Sequence, residues 1–160
     1  MHKEVLAFIQ KVKTLHPKYF KDSKVVEMGS MDINGTPREF FTNCEYIGID
    51  WRGGKGVDKI QKAHCFSEKV DVVITTEMLE HDKHYDETLI NIQQILKSGG
   101  LLILTCAGPG RKEHEVSCGE DDHYLNISAD EISFCFDMER WKEFYIKRQG
   151  GDLQLWAIKK

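Results

Sequence analysis

The chain has 160 residues, of which 41% are hydrophobic and 30% charged. A sequence of this size and balance builds one hydrophobic core and is neither disordered nor fibrous. Its 22 Lys+Arg against 26 Asp+Glu leave a net charge of −4, without the basic excess that duplex nucleic-acid binding uses. No apolar run approaches the ~20 residues that span a bilayer, so no membrane partner is expected. The opening Met1-His2-Lys3-Glu4-Val5-Leu6 has neither the apolar region nor the cleavage site of a signal peptide, and a cytoplasmic location is expected. The five cysteines (Cys44, Cys65, Cys106, Cys118 and Cys135) are odd in number and contain no Cys-x-x-Cys pair, so they read as reduced thiols.

In chain order, Val5, Phe8, Ile9, Val12 and Leu15 recur at helical spacing and predict an amphipathic helix over 2–15. Lys24 to Met28 reads as a short buried strand ending at Gly29. Residues 36–42 suit a short helix with Pro37 in its first turn. Glu45 to Asp50 is a second strand, and the glycines of 51–56 make a loop. Val70 to Thr76 is a clear β-branched strand, whereas 65–69 is a poor one. Residues 84–97 predict a helix with Leu89, Ile92, Ile95 and Leu96 on one face, stopped by Ser98-Gly99-Gly100. Leu101 to Cys106 is another buried strand. Trp141 to Lys147 and Leu153 to Ile158, joined through Gly150-Gly151, form an antiparallel hairpin. Near-continuous apolar strands alternating with helices indicate an α/β fold with a parallel sheet covered on both faces. The stretch Arg111 to Asn126 is polar and carries no clear element, and is expected to form a loop over the site.

Ligands of open α/β sheets bind beyond the carboxyl ends of the strands. After the first strand comes Glu27-Met28-Gly29-Ser30-Met31-Asp32-Ile33-Asn34-Gly35, a glycine loop that is neither Gly-x-Gly-x-x-Gly nor a P-loop. Asp50 closes the second strand, and an acidic residue about 20 positions past such a loop can accept both hydroxyls of a ribose. After Thr75-Thr76 stand Glu77, Glu80 and His81, at i, i+3 and i+4, which one helical turn would bring together.

With these passages the chain resembles class I S-adenosylmethionine-dependent methyltransferases, of the type 11-like group. The resemblance is carried by Val25-Val-Glu-Met-Gly-Ser30 with Asn34-Gly35, by Tyr46-Ile-Gly-Ile-Asp50, and by Asp71 to His81 followed by Leu96-Lys-Ser-Gly-Gly-Leu-Leu-Ile-Leu104. It implies a Rossmann-like single domain over 1–160. The sheet would be mostly parallel and seven-stranded, in order 3-2-1-4-5-7-6, with an antiparallel C-terminal strand and helices on both faces. Residues 1–20 would be an N-terminal helix, 24–110 the cofactor-binding core, 111–126 the loop, and 127–160 a helix and the hairpin. The implied cofactor is S-adenosylmethionine. Glu27 would organise the methionine pocket, and Gly29, Ser30 and Met31 would form the close-approach loop. Asp50 would bind the ribose, Trp51 would face the adenine, Ala63 and His64 would lie at its edge, and Thr76 and Glu77 would meet the amino-acid end. Met31 and Asp32 stand where many members have Gly-x-Gly.

The resemblance implies methyl transfer, read here as O-methylation of a small-molecule, glycan or other hydroxyl acceptor. His81, Glu80 and His114 are the catalytic candidates, with His123 as a further base, because imidazole titrates near neutral pH. Three alternatives stand beside this. One is a cofactor-binding module without turnover. Another is a nicotinamide-dependent oxidoreductase, opposed by the missing dinucleotide fingerprint. In the third, Glu77, Glu80 and His81 match the Glu-x-x-Glu-His arrangement with which small-RNA 3′-end 2′-O-methyltransferases hold a divalent ion. The preferred reading has no metal, with Glu77 and Glu80 capping the following helix.

Overall fold

The computed structural model describes residues 3–113 and 123–160. The first helix, α1 (Lys3–Leu15), buries Val5, Phe8, Ile9 and Val12. The strands are β1 (Lys24–Met28), β2 (Glu45–Asp50), β3 (Lys59–Ile60), β4 (Val70–Thr76), β5 (Leu96–Ala107), β6 (Trp141–Gln149) and β7 (Asp152–Lys159). Two further helices are α2 (Tyr85–Ile95) and α3 (Ala129–Cys135), the latter started by a capping box between Ser128 and Glu131. Among the described residues, seven strands form one sheet in the order β3-β2-β1-β4-β5-β7-β6. The pairings β1–β2, β1–β4, β2–β3 and β4–β5 are parallel, while β5–β7 and β6–β7 are antiparallel. This is the α/β architecture that the sequence implies.

Alternation along the central strands divides the core. Val25, Val72, Ile74, Leu101 and Ile103 pack with α1 on one face. Val26, Met28, Val73, Leu102 and Leu104 pack on the other with Leu89, Ile92 and Ile95 of α2 and Ile132 of α3. At about 25 cal/mol per Å² of apolar surface removed from water, these two layers are the dominant stabilising term.

Three local expectations change. Residues 36–42 are not an α-helix but a single 3-10 turn, Pro37–Phe40, in which the Thr36 side chain accepts the Arg38 amide. The third strand is neither 65–69 nor buried; it is the two-residue edge Lys59–Ile60, both exposed. The helix α2 stops at Ile95, ahead of the glycines. There the Lys159 Nζ donates to the carbonyls of Gln93 (2.6 Å) and Leu96 (2.7 Å), and Lys69 Nζ donates to Gln94 O at 2.6 Å. Cations on the last carbonyls end the helix favourably. The Ser98-Gly99-Gly100 segment instead lies within β5, where pairing with β4 jumps from Val70↔Leu96 to Val72↔Leu101. Gly99 takes φ +74° in this irregularity, and Tyr19 Oη donates to its carbonyl at 2.6 Å. Among the described residues no helix is long and apolar enough to cross a membrane.

Candidate functional site

All parallel strands present their carboxyl ends at one edge of the sheet, and the candidate residues collect there. Gly29 follows β1 with φ +78°, a conformation that glycine adopts without strain. A Cβ on it would lie 2.4 Å from Met78 Cγ, so Met78, just beyond β4, sits directly against the loop. Resemblance implies a loop backbone open to a ligand, but the Gly29 and Ser30 amides both donate to Ile49 O, at 2.9 and 3.0 Å. The Ser30 side chain is buried against Gly48, turned toward β2. The loop therefore offers shape at Gly29 rather than amides. Met31 has its thioether packed where a Gly54 Cβ would reach it at 3.1–3.3 Å, and its amide donates to Asp50 Oδ2 at 3.3 Å.

Asp50 ends β2 half-buried. Its carboxylate also accepts the Arg52 amide at 3.3 Å. Burial pushes its pKa upward, opposed by the Arg52 and Met31 amides. Asp32 takes no part in this: it accepts the Gly35 amide at 2.7 Å and pairs with Lys55 at 2.6 Å, which hold its pKa down. Glu27 is 3% exposed and accepts the Tyr46 hydroxyl at 3.0 Å. Burial lifts its carboxyl to about 7, against the opposing Tyr46 hydrogen bond and the Arg38 charge.

Trp51 is 53% exposed, with the Arg52 guanidinium 5.0 Å from its ring centroid. It is a surface aromatic beside Asp50 rather than a core residue. Ala63 and His64 lie in the 3-10 turn Ala63–Cys65 that follows β3. Asn91 of α2 holds this turn by donating to Ala63 O (3.1 Å) and Phe66 O (2.8 Å).

Beyond Thr76, Glu77 adopts φ +55°. Asn43 and Asp22 share that region, but they are the residue types that tolerate it; a glutamate there is strained, and such strain gathers at functional sites. Glu77 is not part of a helical turn. The turn starts only at Leu79, so Glu77, Glu80 and His81 do not share one helical turn. Glu77 is paired with Arg111, which also contacts Asp152 at 2.6 Å, and the other Glu77 oxygen, Oε1, is buried without a hydrogen-bond partner. Glu80 is fully buried, with neither carboxylate oxygen in hydrogen-bonding geometry. Burial and the Glu77 charge raise its pKa to about 8. His81 Nδ1 lies 3.2 Å from the His123 carbonyl oxygen, which can only accept, so Nδ1 donates in that contact. The His81 ring also packs edge-on against Tyr124, with centroids 5.4 Å apart. Leu125 N donates to Glu80 O and Ile127 N to Ala107 O, which lays residues 123–127 over this corner.

The structure thus places Gly29, Met31, Asp50, Trp51, Ala63, His64, Thr76, Glu77 and His81 along the carboxyl edge, while Ser30, Glu27 and Glu80 turn inward. His114 and most of the expected 111–126 loop lie outside the described residues. Arg111 and Met78 were not among the sequence candidates. Arg111 had one signal: it follows Gly108-Pro109-Gly110, just past β5, at the same edge.

A methyltransferase-domain family profile matches residues 2–148. No curated protein sequence matches the chain. Among solved structures, the chain is similar to the 1,6-didemethyltoxoflavin-N1-methyltransferase of Burkholderia thailandensis, with bound 1,6-didemethyltoxoflavin and S-adenosylhomocysteine. That match has TM-score 0.67 and 12% identity over 96% of this chain and 79% of the other. A Listeria monocytogenes protein assigned as an S-adenosylmethionine-dependent methyltransferase matches with TM-score 0.64 and 14% identity over 98% of both chains. The phosphoethanolamine N-methyltransferase 2 of Haemonchus contortus, in complex with phosphomonomethylethanolamine and S-adenosylhomocysteine, matches with TM-score 0.64 and 17% identity over 90% of this chain and 38% of the other. These likenesses establish the fold, and the profile, which spans most of the sequence, establishes the family: the chain belongs to the methyltransferase-domain family.

Proposed function

We propose that this methyltransferase takes its methyl group from S-adenosylmethionine and transfers it to a hydroxyl acceptor. The observation that carries the cofactor assignment is the pairing, on one sheet edge, of Asp50 at the end of β2 with the left-handed Gly29 loop at the end of β1. The donor set fits. Asp50 is an acceptor for ribose hydroxyls, and the orphaned buried Glu77 Oε1 is an acceptor for an ammonium group at the amino-acid end. Trp51 offers an exposed aromatic face for the adenine, with Ala63 and His64 at its edge and Met31 behind the loop. Ser30 packs against β2, and Glu27, the proposed organiser of the methionine pocket, accepts the Tyr46 hydroxyl.

The bound cofactor would supply an electrophilic methyl on a sulfonium, which leaves the protein positioning and proton handling. A neutral amine attacks with its own lone pair, whereas a hydroxyl must lose a proton on the way. His81, oriented at the carboxyl edge by its Nδ1 contact with the His123 carbonyl, is the candidate for that base. Glu80, its pKa pushed upward by burial and by the Glu77 charge, is a positioning residue in the same 3-10 turn. His123 is an anchor through its backbone.

The test is transfer of a radiolabelled methyl from S-adenosylmethionine to a panel of phenols, glycans, small hydroxy metabolites, amines and RNA 3′ ends. Hydroxyl acceptors should be labelled, and His81→Asn should lower kcat about 10²-fold or more while cofactor affinity holds. Labelling of amines alone would overturn the hydroxyl assignment. Cofactor binding with no labelled acceptor of any class would favour the module without turnover.

A further inference from the structure

We propose that His64, His84 and Glu87 form a binding site for a divalent transition-metal ion of the zinc type. Among the described residues, this is the one trio of histidine, cysteine or carboxylate side chains whose ligand atoms all lie within 4.8 Å of one another. It shares no residue with the Glu77, Glu80 and His81 group, whose ligand atoms do not meet the same distance. His64 comes from the 3-10 turn after β3, and His84 and Glu87 come from the start of α2, one turn apart on the same helix face.

Four features point to a ligand rather than to ordinary surface polarity. The two imidazole rings face each other with centroids 4.5 Å apart and planes tilted by 48°, although neither ring is buried in an apolar cluster that would force the contact. His64 Nδ1 is shielded from solvent and has no hydrogen-bond partner, a state that polar atoms of native proteins rarely keep. His84 Nδ1 and Glu87 Oε1 lie 2.9 Å apart, so a nitrogen and a carboxylate oxygen are already side by side. The scaffold is fixed, because Asn91 ties both ends of the His64 turn to α2.

The donor set selects the ion. Two imidazoles and one carboxylate suit Zn²⁺, Co²⁺ or Ni²⁺ better than Mg²⁺ or Ca²⁺, which take oxygen-rich shells. Zinc–ligand bonds of about 2.0–2.1 Å put ligand atoms about 3.3 Å apart in a tetrahedron, so side-chain rotation of an ångström or so closes the observed trio. Three protein ligands leave a fourth position for water or another donor.

The experiment is a Co²⁺ titration of chelator-stripped full-length protein, without cofactor, followed by visible absorption and by calorimetry with Zn²⁺. The wild type should bind one equivalent with the d–d bands of a low-coordinate nitrogen/oxygen site. His84→Asn and Glu87→Gln should each weaken binding at least tenfold. Glu87 is exposed, so its variant keeps the fold even if the half-buried His84 substitution does not. Absence of stoichiometric binding in the wild type, equal affinity in the Glu87 variant, or thiolate charge-transfer bands from the neighbouring Cys65 would each overturn the assignment. None of these readouts depends on S-adenosylmethionine, so the result is independent of the proposed methyl transfer.

Discussion

Arg111 is ion-paired with Glu77 and, through the same nitrogen, with Asp152 at 2.6 Å. One guanidinium thereby joins the end of β5 to the end of β4 and the start of β7. The side chains of Arg111, Glu77 and Asp152 are only 13–15% exposed, so the charges are largely desolvated. The pairing also holds Glu77 in its left-handed conformation at the candidate site.

Arg111→Ala should therefore destabilise the protein by about 2–4 kcal/mol, because it leaves two carboxylates half-buried with no cation between them. Arg111→Lys should recover only part of this, since a lysine cannot span both acids in the forked geometry of arginine. Urea denaturation of both variants checks the size. A loss under ~0.5 kcal/mol for the alanine variant would mean that the network is solvated.

Gly29→Ala should damage both stability and cofactor binding. The φ of +78° is strained for alanine, and its Cβ would meet Met78 Cγ at 2.4 Å. The expected cost is about 1–3 kcal/mol. The double variant Gly29→Ala with Met78→Ala should recover the steric part and not the backbone part, which thermal melts of all three proteins will separate.

Two buried carboxyls give a pH signature. Burial raises Glu80 to about 8 and Glu27 to about 7. In the unfolded chain both titrate near ~4.3. Between those limits the native state binds more protons than the unfolded state, so this contribution to stability is full below about 4.3, falls as pH rises, and levels off above about 8. The melting temperature should accordingly decline between pH 5.5 and 8. In Glu80→Gln, which cannot ionise, the decline should be visibly shallower. Parallel curves for the two proteins would place the Glu80 titration elsewhere.

The central strands were readable because each buries a β-branched run on both faces, a pattern that local sequence carries in full. Gly29 and Asp50 were readable because their spacing reflects the β1–loop–β2 geometry itself. The third strand was not: Lys59–Ile60 is an exposed edge whose pairing comes from β2 alone, so it leaves no apolar trace. The end of α2 escaped because its cap is supplied by Lys159, 63 residues beyond Leu96. The roles of Glu77 and Glu80 escaped for a related reason. Their spacing suggested one helical turn, but Arg111, 34 residues on, draws Glu77 out of it, and burial under residues 123–127 turns Glu80 inward. The His64–His84 contact likewise joins two segments through tertiary packing of the 3-10 turn on α2.

The most direct test of the account is calorimetric titration of S-adenosylhomocysteine into the wild type and Asp50→Ala. The wild type should bind one equivalent saturably. The variant should fold normally and lose about 1.5–3 kcal/mol, roughly 10- to 150-fold in affinity, because hydrogen bonds to the carboxylate are charge-assisted. NAD should bind neither protein. Absence of S-adenosylhomocysteine binding by the wild type, or equal affinity in Asp50→Ala, would contradict the assignment of this sheet edge as the cofactor site.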